Sequence, residues 1–421
     1  MSVDHRALTA QVTVLDSVGN PVRDADVTVE QLRHDFAFGN IGFDFIPLAN
    51  GETEQDAAVD PVFGGAGLAS LPELETMWFD LFNTATLPFY WRGFEPTRGK
   101  PDTRRLQRTA SWFAEHGVTV KGHPLTWHTL APEWLTGLPV AEIERLQRER
   151  IRREVTDFAG VIDTWDAINE AVIMPVFTAE ENGITRLAQS IGRVPMIQLA
   201  FEEARASNPS ATLVLNDFDL SSDYEALIER VVEAGIAVDA IGLQTHMHQG
   251  YWGEETMLAM VDRFARFGLP LHLTETTLLS GELMPPEIVD LNDYQIPSWP
   301  STPEGEARQA DEIVRHYRSL VGHPAVQAIT YWGFTDDGAW LGAPGGLVRA
   351  DGTPKPSYHA LQSLVKDEWW LPQTSMRTDD DGRLSITGFF GDYVIKRDGQ
   401  SAPVSLSRGR ETDRPIQLTL A

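Results

Sequence analysis

The sequence predicts an α/β protein, an eight-stranded (β/α) barrel with a small accessory β module formed from its N- and C-terminal segments. Three observations predict it. Eight short apolar runs recur through the middle of the chain with amphipathic stretches between them. Polar residues gather at the C-terminal ends of those runs, where barrel enzymes carry their chemistry. Both termini instead show the two-residue alternation of half-buried strands. A doubly wound open sheet is the alternative, but no glycine-rich phosphate loop follows the first strand. The expected units are an N-terminal β module over 1–33, the barrel over 34–367, and C-terminal strands over 368–421 packed with the N-terminal module.

From Thr9 to Gln31, TAQVTVLDSVGNPVRDADVTVEQ alternates on both sides of a Gly-Asn-Pro turn and reads as a β-hairpin. The barrel runs follow: DFAFGN from Asp35, FNTATL from Phe82, VTVKGHPL from Val118, VIDTWDAIN from Val161, TLVLND from Thr212, AIGLQTH from Ala240, PLHLTE from Pro270 and VQAITYWGF from Val326. Helical patterns lie between them; Leu106, Ala110, Phe113 and Ala114 share one face, and Gly117 follows as a stop signal. Two connections, Asn50 to Glu73 and Leu278 to Glu304, are long enough for lids or binding rims. From Ser375 the strand pattern returns in RLSITGFFGDYVIKR, broken by Gly388 and Gly391, and then in PVSLS and IQLTL.

Composition narrows the function. A chain of 421 residues that is 42% hydrophobic and 23% charged folds into a globular protein. Its formal net charge of -27 repels polyanions and leaves no basic stripe for phosphates, so a neutral substrate is expected and nucleic acid is not. Zero cysteines exclude disulfides, thiol nucleophiles and thiolate metal sites. No apolar stretch reaches the roughly 18 residues a membrane span needs. The first twenty residues lack a basic start and an apolar run, so the expected location is cytoplasmic as the chain stands, or secreted if a leader was removed. Twelve Trp are present; most such residues are core, yet indole faces also stack on sugars. No feature of the sequence sets the oligomeric state.

The third run ends in GHPLTWH (Gly122 to His128), the fourth in WDAINEA (Trp165 to Ala171), the sixth in QTHMH (Gln244 to His248) and the seventh in TETT (Thr274 to Thr277). The eighth leads into TYWGFTDDGAWLG (Thr330 to Gly342). A buried strand end has no structural use for an ionised carboxylate, because desolvation destabilises it unless it is paired. Glu170 and Glu275 therefore need a reason. Glycoside hydrolysis supplies one: one carboxyl gives a proton to the leaving oxygen while the other attacks the anomeric carbon. Glu170 suits the proton donor, since an apolar wall and the charge of Glu275 would both raise its pKa. Once Glu275 is esterified that charge is gone, and Glu170 can act as base toward water. Asn169 and Glu170 are adjacent, so both reach a substrate only if the strand ends or bulges there. Asn169 would then hold the sugar's 2-hydroxyl. His246 and His248 share a strand face at a spacing that can bind a metal, but no HExxH helix or acidic third ligand accompanies them, and no metal is expected.

Together these motifs resemble glycoside hydrolase family 10, the endo-β-1,4-xylanases, over roughly Phe36 to Leu364. WDAINEA resembles the family's acid/base motif and LTE, Leu273 to Glu275, its nucleophile motif; IGLQTH, LND at Leu215, GHPLTWH and WGFTDDGAWL match further strand ends in order. The resemblance implies a TIM barrel, no cofactor, and a retaining mechanism with Glu170 as acid/base and Glu275 as nucleophile. It implies that His246 hydrogen-bonds the nucleophile, that Asn169, His123 and Gln244 line the sugar site, and that Trp127, Trp332 and Trp340 form an aromatic cradle, with His128 beside them. The family's Glu-Asn-x-x-Lys pattern after the second strand is missing. The stretch TLPFYWRGFEP offers Tyr90, Trp91 and Arg92 as substrate contacts instead. Thr277 stands where the family tends to place an Asp. The substrate expected is a xylan-like polysaccharide, oligosaccharide or decorated glycoside. A β-glycosidase for a plant glycoside with an apolar aglycone and a catalytically silent carbohydrate-binding protein are the alternatives.

Overall fold

The computed structural model describes residues 2–53, 71–409 and 416–420. Two strands, β1 (Ala7–Leu15) and β2 (Asp26–His34), come first. Then follow β3 (Ala37–Ile41), β4 (Thr84–Pro88), β5 (Thr119–His123), β6 (Ile162–Asn169), β7 (Thr212–Asp217), β8 (Ala240–Met247), β9 (Leu271–Leu278) and β10 (Val326–Tyr331). The last are β11 (Thr374–Arg377), β12 (Arg383–Phe389), β13 (Gly391–Arg397), β14 (Gln400–Leu406) and β15 (Ile416–Thr419). Strands β3 to β10 are parallel and close into a barrel, with β10 pairing both β9 and β3. Each of the eight apolar runs has become one barrel strand.

Helices between the strands bury one apolar stripe each against the barrel's outside. Several starts are capped by side chains: Asn182 accepts from the Thr185 amide, Ser221 from Asp223 and Thr302 from Gly305, with Pro303 in the first helical turn. The helix Thr103–Glu115 buries Leu106, Thr109, Ala110 and Phe113 and stops before Gly117, whose φ of +75° favours glycine. Ala114, expected on that face, is exposed. It sits at the edge of the stripe set by Leu106, Ala110 and Phe113, and its methyl group is too short to reach the sheet.

The terminal strands form two further sheets, ordered β12-β1-β15 and β11-β2-β13-β14. Ala10, Val12 and Val14 of one sheet share a core with Val27, Val29, Ile395 and Val404 of the other, so the ends make one sandwich. The expected hairpin of β1 and β2 is not formed, because the two strands lie in different sheets. A tight turn does occur, with Asp16 Oδ1 accepting from the Val18 and Asn20 amides. Beyond it the pairing is one bridge long: Pro21 stands opposite Leu15, with the Val22 amide donating to Val14 O at 2.8 Å. The Thr378 hydroxyl then bonds Val22 O and the Ala25 amide, carrying the chain across to the second sheet.

The sandwich sits under the N-terminal mouth of the barrel. Buried Arg6 donates to the carbonyls of Val321, His323 and Val326, at the start of β10, and its guanidinium lies 4.6 Å from the Phe36 ring centroid. Of the two long connections, most of 50–73 lies outside the described residues. The other, after β9, builds a small core from Leu279, Met284, Trp299 and Ala343. Lys355 pins it: Nζ bonds Ser280 Oγ at 2.8 Å, Asp336 Oδ1 at 2.7 Å and Gly346 O at 2.9 Å. The loop is thereby tied to the one that carries Trp340.

Candidate active site

Glu170 directly follows β6 and Glu275 lies on β9, three strands further round the barrel's C-terminal mouth, and both side chains turn inward. The local backbone explains how. Strand β6 stops at Asn169, and Glu170 takes φ +57°, a left-handed conformation that destabilises a non-glycine residue by about 1 kcal/mol and typically marks a functional position. Its amide is held by Asn216 O at 2.9 Å. The register of β6 on β7 shifts between Asp166 and Ile168, and that of β9 on β8 beside Gln244. These irregularities let Asn169 and Glu170 face the same cleft.

A continuous amide network joins the two carboxyls. Asn216 Nδ2 donates to Glu275 Oε1 at 3.0 Å and to Asn169 Oδ1 at 2.8 Å. Gln244 Nε2 donates to Asn169 Oδ1 at 2.9 Å, and Asn169 Nδ2 to Glu170 Oε1 at 3.2 Å. Trp127 Nε1 donates to Glu170 Oε2 at 2.7 Å. His246 Nε2 lies 3.2 Å from Glu275 Oε2, and its Nδ1 lies 3.0 Å from the Thr277 hydroxyl. The Thr277 hydroxyl thus orients the imidazole from the position where the family tends to place an Asp.

The two side chains are 13% and 7% exposed. Burial pushes the Glu170 carboxyl up to about 8, with the charges of Glu275 and Asp217 adding to the rise and the Trp127 and Gln244 hydrogen bonds opposing it. It therefore carries its proton at neutral pH. Such a group can donate a proton to a leaving oxygen, while Glu275, held by Asn216 and His246, faces the same space. Nearby Asp217 is also lifted by burial, to about 7, and accepts the Val172 amide just beyond Glu170.

The other predicted residues divide. His123 faces Glu275, Nε2 to Oε1 3.9 Å. Tyr90 packs at 5.7 Å from the His123 ring and 5.5 Å from Trp127, inside a cluster with Ile41, Phe43 and Trp332. Trp332 lies 5.2 Å from His123, and half-buried Trp340 lies 4.8 Å from His246. His128 sits behind Glu170 at 3.9 Å, too far to hydrogen-bond, and burial pushes it down to about 3. Trp91 does not reach the cleft: it belongs to the barrel core, donates to Glu95 Oε2 and stacks under the Arg150 guanidinium. Its place on a short helix directly after Tyr90 turns it away from the mouth. Arg92 is likewise engaged elsewhere, forked onto Glu180 at 2.9 Å. Among the described residues no group of three or more His, Asp or Glu side chains is placed to hold a metal.

Sequence reasoning passed over Asn216, the hub of the amide network, and the buried pair Lys121 and Asp166 beneath it. The polar end of TLVLND was a signal for the first. For the others the signal was a Lys and an Asp inside otherwise apolar strands.

The sequence profile of the family described as Glycosyl hydrolase family 10 matches residues 83–364, about two thirds of the chain. The chain belongs to glycosyl hydrolase family 10. It is a glycoside hydrolase with a carbohydrate substrate. Endo-1,4-beta-xylanase B of Thermotoga neapolitana is 27% identical over 297 residues, covering 66% of this chain and 78% of that protein. Anti-sigma-I factor RsgI6 of Acetivibrio thermocellus is 23% identical over 397 residues, 93% of this chain but 45% of that protein. The crystal structure of xylanase 10B from Thermotoga petrophila RKU-1 in complex with xylobiose superposes with a TM-score of 0.62 at 22% identity, covering 79% of this chain and 95% of that one. At that identity the superposition speaks for the barrel fold alone.

Proposed function

We propose that the protein hydrolyses a β-linked, xylan-like glycan with retention of configuration, Glu275 attacking the anomeric carbon and Glu170 serving as acid and then base. One observation carries this reading: two carboxyls joined through Asn216 and Asn169, with burial and the charge of Glu275 keeping the proton on Glu170. In the first step Glu275 forms an ester with the sugar while the Glu170 proton passes to the departing oxygen. Loss of the Glu275 charge then lets Glu170 take a proton from water, which opens the ester. In this reading Asn169 holds the sugar's 2-hydroxyl, and Trp127, Trp332 and Trp340 flank the ring. The profile match to family 10 and the xylanases among its relatives support the xylan-like substrate.

The test is the anomer formed first, followed by NMR on a xylo-oligosaccharide. The β-anomer is expected; the α-anomer would reject double displacement. Glu170→Ala should keep more of kcat/KM toward aryl glycosides with an acidic leaving group than toward poor ones, while kcat falls on all of them because the base for the second step is gone. Uniform loss of kcat/KM would remove Glu170 from its role.

A second reading, a β-glycosidase for short or decorated glycosides with an apolar aglycone, is favoured by Tyr90 and Phe43, whose rings pack together on one flank of the cleft, Tyr90 from the stretch where the family's polar Glu-Asn-x-x-Lys pattern is missing. Rapid loss of xylan viscosity supports the first reading; turnover of small aryl or terpenoid glycosides with intact xylan supports the second.

A further inference from the structure

Below the carboxylates the barrel axis holds an ion pair that the chemistry above does not use. Lys121 of β5 and Asp166 of β6 lie 2.8 Å apart, Nζ to Oδ2, with 5% and 0% of their side chains exposed. The same Oδ2 lies 2.6 Å from Nδ1 of His123, whose Nε2 points toward Glu275. Lysine, aspartate, histidine and glutamate thus stand in one file. Burying an ion pair costs more than burying an apolar pair of the same shape, so this one needs a reason.

We propose that Lys121 is a positioning residue: by balancing the charge of Asp166 it leaves His123 with one ring proton, on Nδ1, and a bare Nε2 turned to the sugar and to Glu275. With the ammonium in place, lysine and aspartate are neutral together, and a second proton on the ring would be an unbalanced charge in a low-dielectric site. Without it, a buried anion stands 2.6 Å from the imidazole, and a proton at Nε2 is the nearest means of neutralising it. That proton would make Nε2 a cation facing Glu275 Oε1. It would hold the carboxylate as an ion pair and remove an acceptor from the sugar's hydroxyl. The remaining neighbours of the ring are uncharged: Tyr90 on β4, Trp127 after β5 and Trp332 after β10. The charge on His123 is therefore set by Asp166, Lys121 and Glu275, while His272 of β9, which faces the same lysine and aspartate, is held neutral by burial and by the Lys121 charge. Lys121 also lines a polar cavity of about 180 Å³, shared with Thr84, Thr164, Thr330 and His272 and with the charged Arg33 and Asp35.

The catalytic consequence rests on Glu275 being the nucleophile; the ring's proton count does not. The experiment compares wild type with Lys121→Met, Lys121→Gln and Lys121→Arg, using nitrogen NMR of labelled histidine and the pH profile of kcat/KM on an aryl β-glycoside. Gln keeps a donor for Asp166 while removing the charge, and it serves as the second variant should Met not fold. Wild type and Arg are expected to show the Nδ1–H tautomer and matching profiles. Met and Gln should show a doubly protonated ring, with kcat/KM down about tenfold at the acid end and less at the alkaline end, because acid loads the second proton. Asp166→Asn added to Lys121→Met should return the ring to one proton. A singly protonated ring in Lys121→Gln, or losses that are equal at all pH, would overturn the proposal. Failure of Glu275 as nucleophile would leave the ring results standing and change only the kinetics.

Discussion

The molecule has two interiors built on opposite rules. Between the sheets of the sandwich lie Val12, Val14, Val27, Val29, Ile386, Ile395 and Val404, which drive folding by leaving water and ask for no partner. Along the barrel axis lie Lys121, Asp166, His123, Asn216, Gln244 and Glu275, each of which is tolerated only because a neighbour satisfies it. The barrel's apolar core is displaced outward, to the layer between strands and helices, where Trp78, Phe113, Trp165 and Phe264 are fully buried. Stability and chemistry are thus carried by different layers, and substitutions should separate them.

The sharpest separation is expected at Glu275. Glu275→Ala should abolish turnover, by roughly four orders of magnitude or more, while the melting temperature stays the same or rises, since a buried carboxyl is removed. A large fall in stability would make Glu275 a structural residue. Next comes the pH dependence set by Glu170. Its proton is present below about 8 and lost above, so kcat/KM should fall as pH rises through that value. The same raised value has a thermodynamic side. Between the ordinary 4.5 and about 8 the folded chain keeps a proton that the unfolded chain releases, so stability falls as pH rises across that window. Glu170→Gln should flatten that slope and melt higher than wild type above pH 8; an unchanged slope would contradict the burial argument.

On the other side of the comparison, Ile395→Ala in the sandwich should reduce folding stability by about 2–4 kcal/mol through lost burial and the cavity left behind. Its kcat/KM below the melting transition should match wild type, measured by denaturant unfolding and initial rates. A comparable fall in kcat/KM would mean that the sandwich shapes the site through Arg6. The smallest effect is expected at Thr277→Val, which removes the hydroxyl from His246 Nδ1: kcat should drop several-fold with KM little changed.

Much of this was legible in the sequence where a single periodicity or a single strand end carried the information. The eight apolar runs became eight strands because each is a short apolar stretch followed by an amphipathic segment that covers it. Glu170 and Glu275 stood out because a carboxyl at the end of such a run is costly. What could not be read was pairing over distance. The alternation of β1 and β2 is the same whether they form a hairpin or face one another across a sandwich, since either arrangement buries every second residue. Trp91 and Tyr90 are neighbours of similar character, and only the short helix after β4 decides that one enters the cleft and the other the core. Lys121 and Asp166 are separated by 45 positions in the chain and become a pair only when β5 lies against β6.

The account turns on which side chain becomes joined to the sugar. A fluorosugar β-glycoside with a dinitrophenolate leaving group slows the second step and lets the ester accumulate, and peptide mass spectrometry then locates it. One sugar on the peptide that contains Glu275, with none in Glu275→Ala, is the predicted result. A label on another residue, or rapid turnover to an inverted sugar with no adduct, would contradict it.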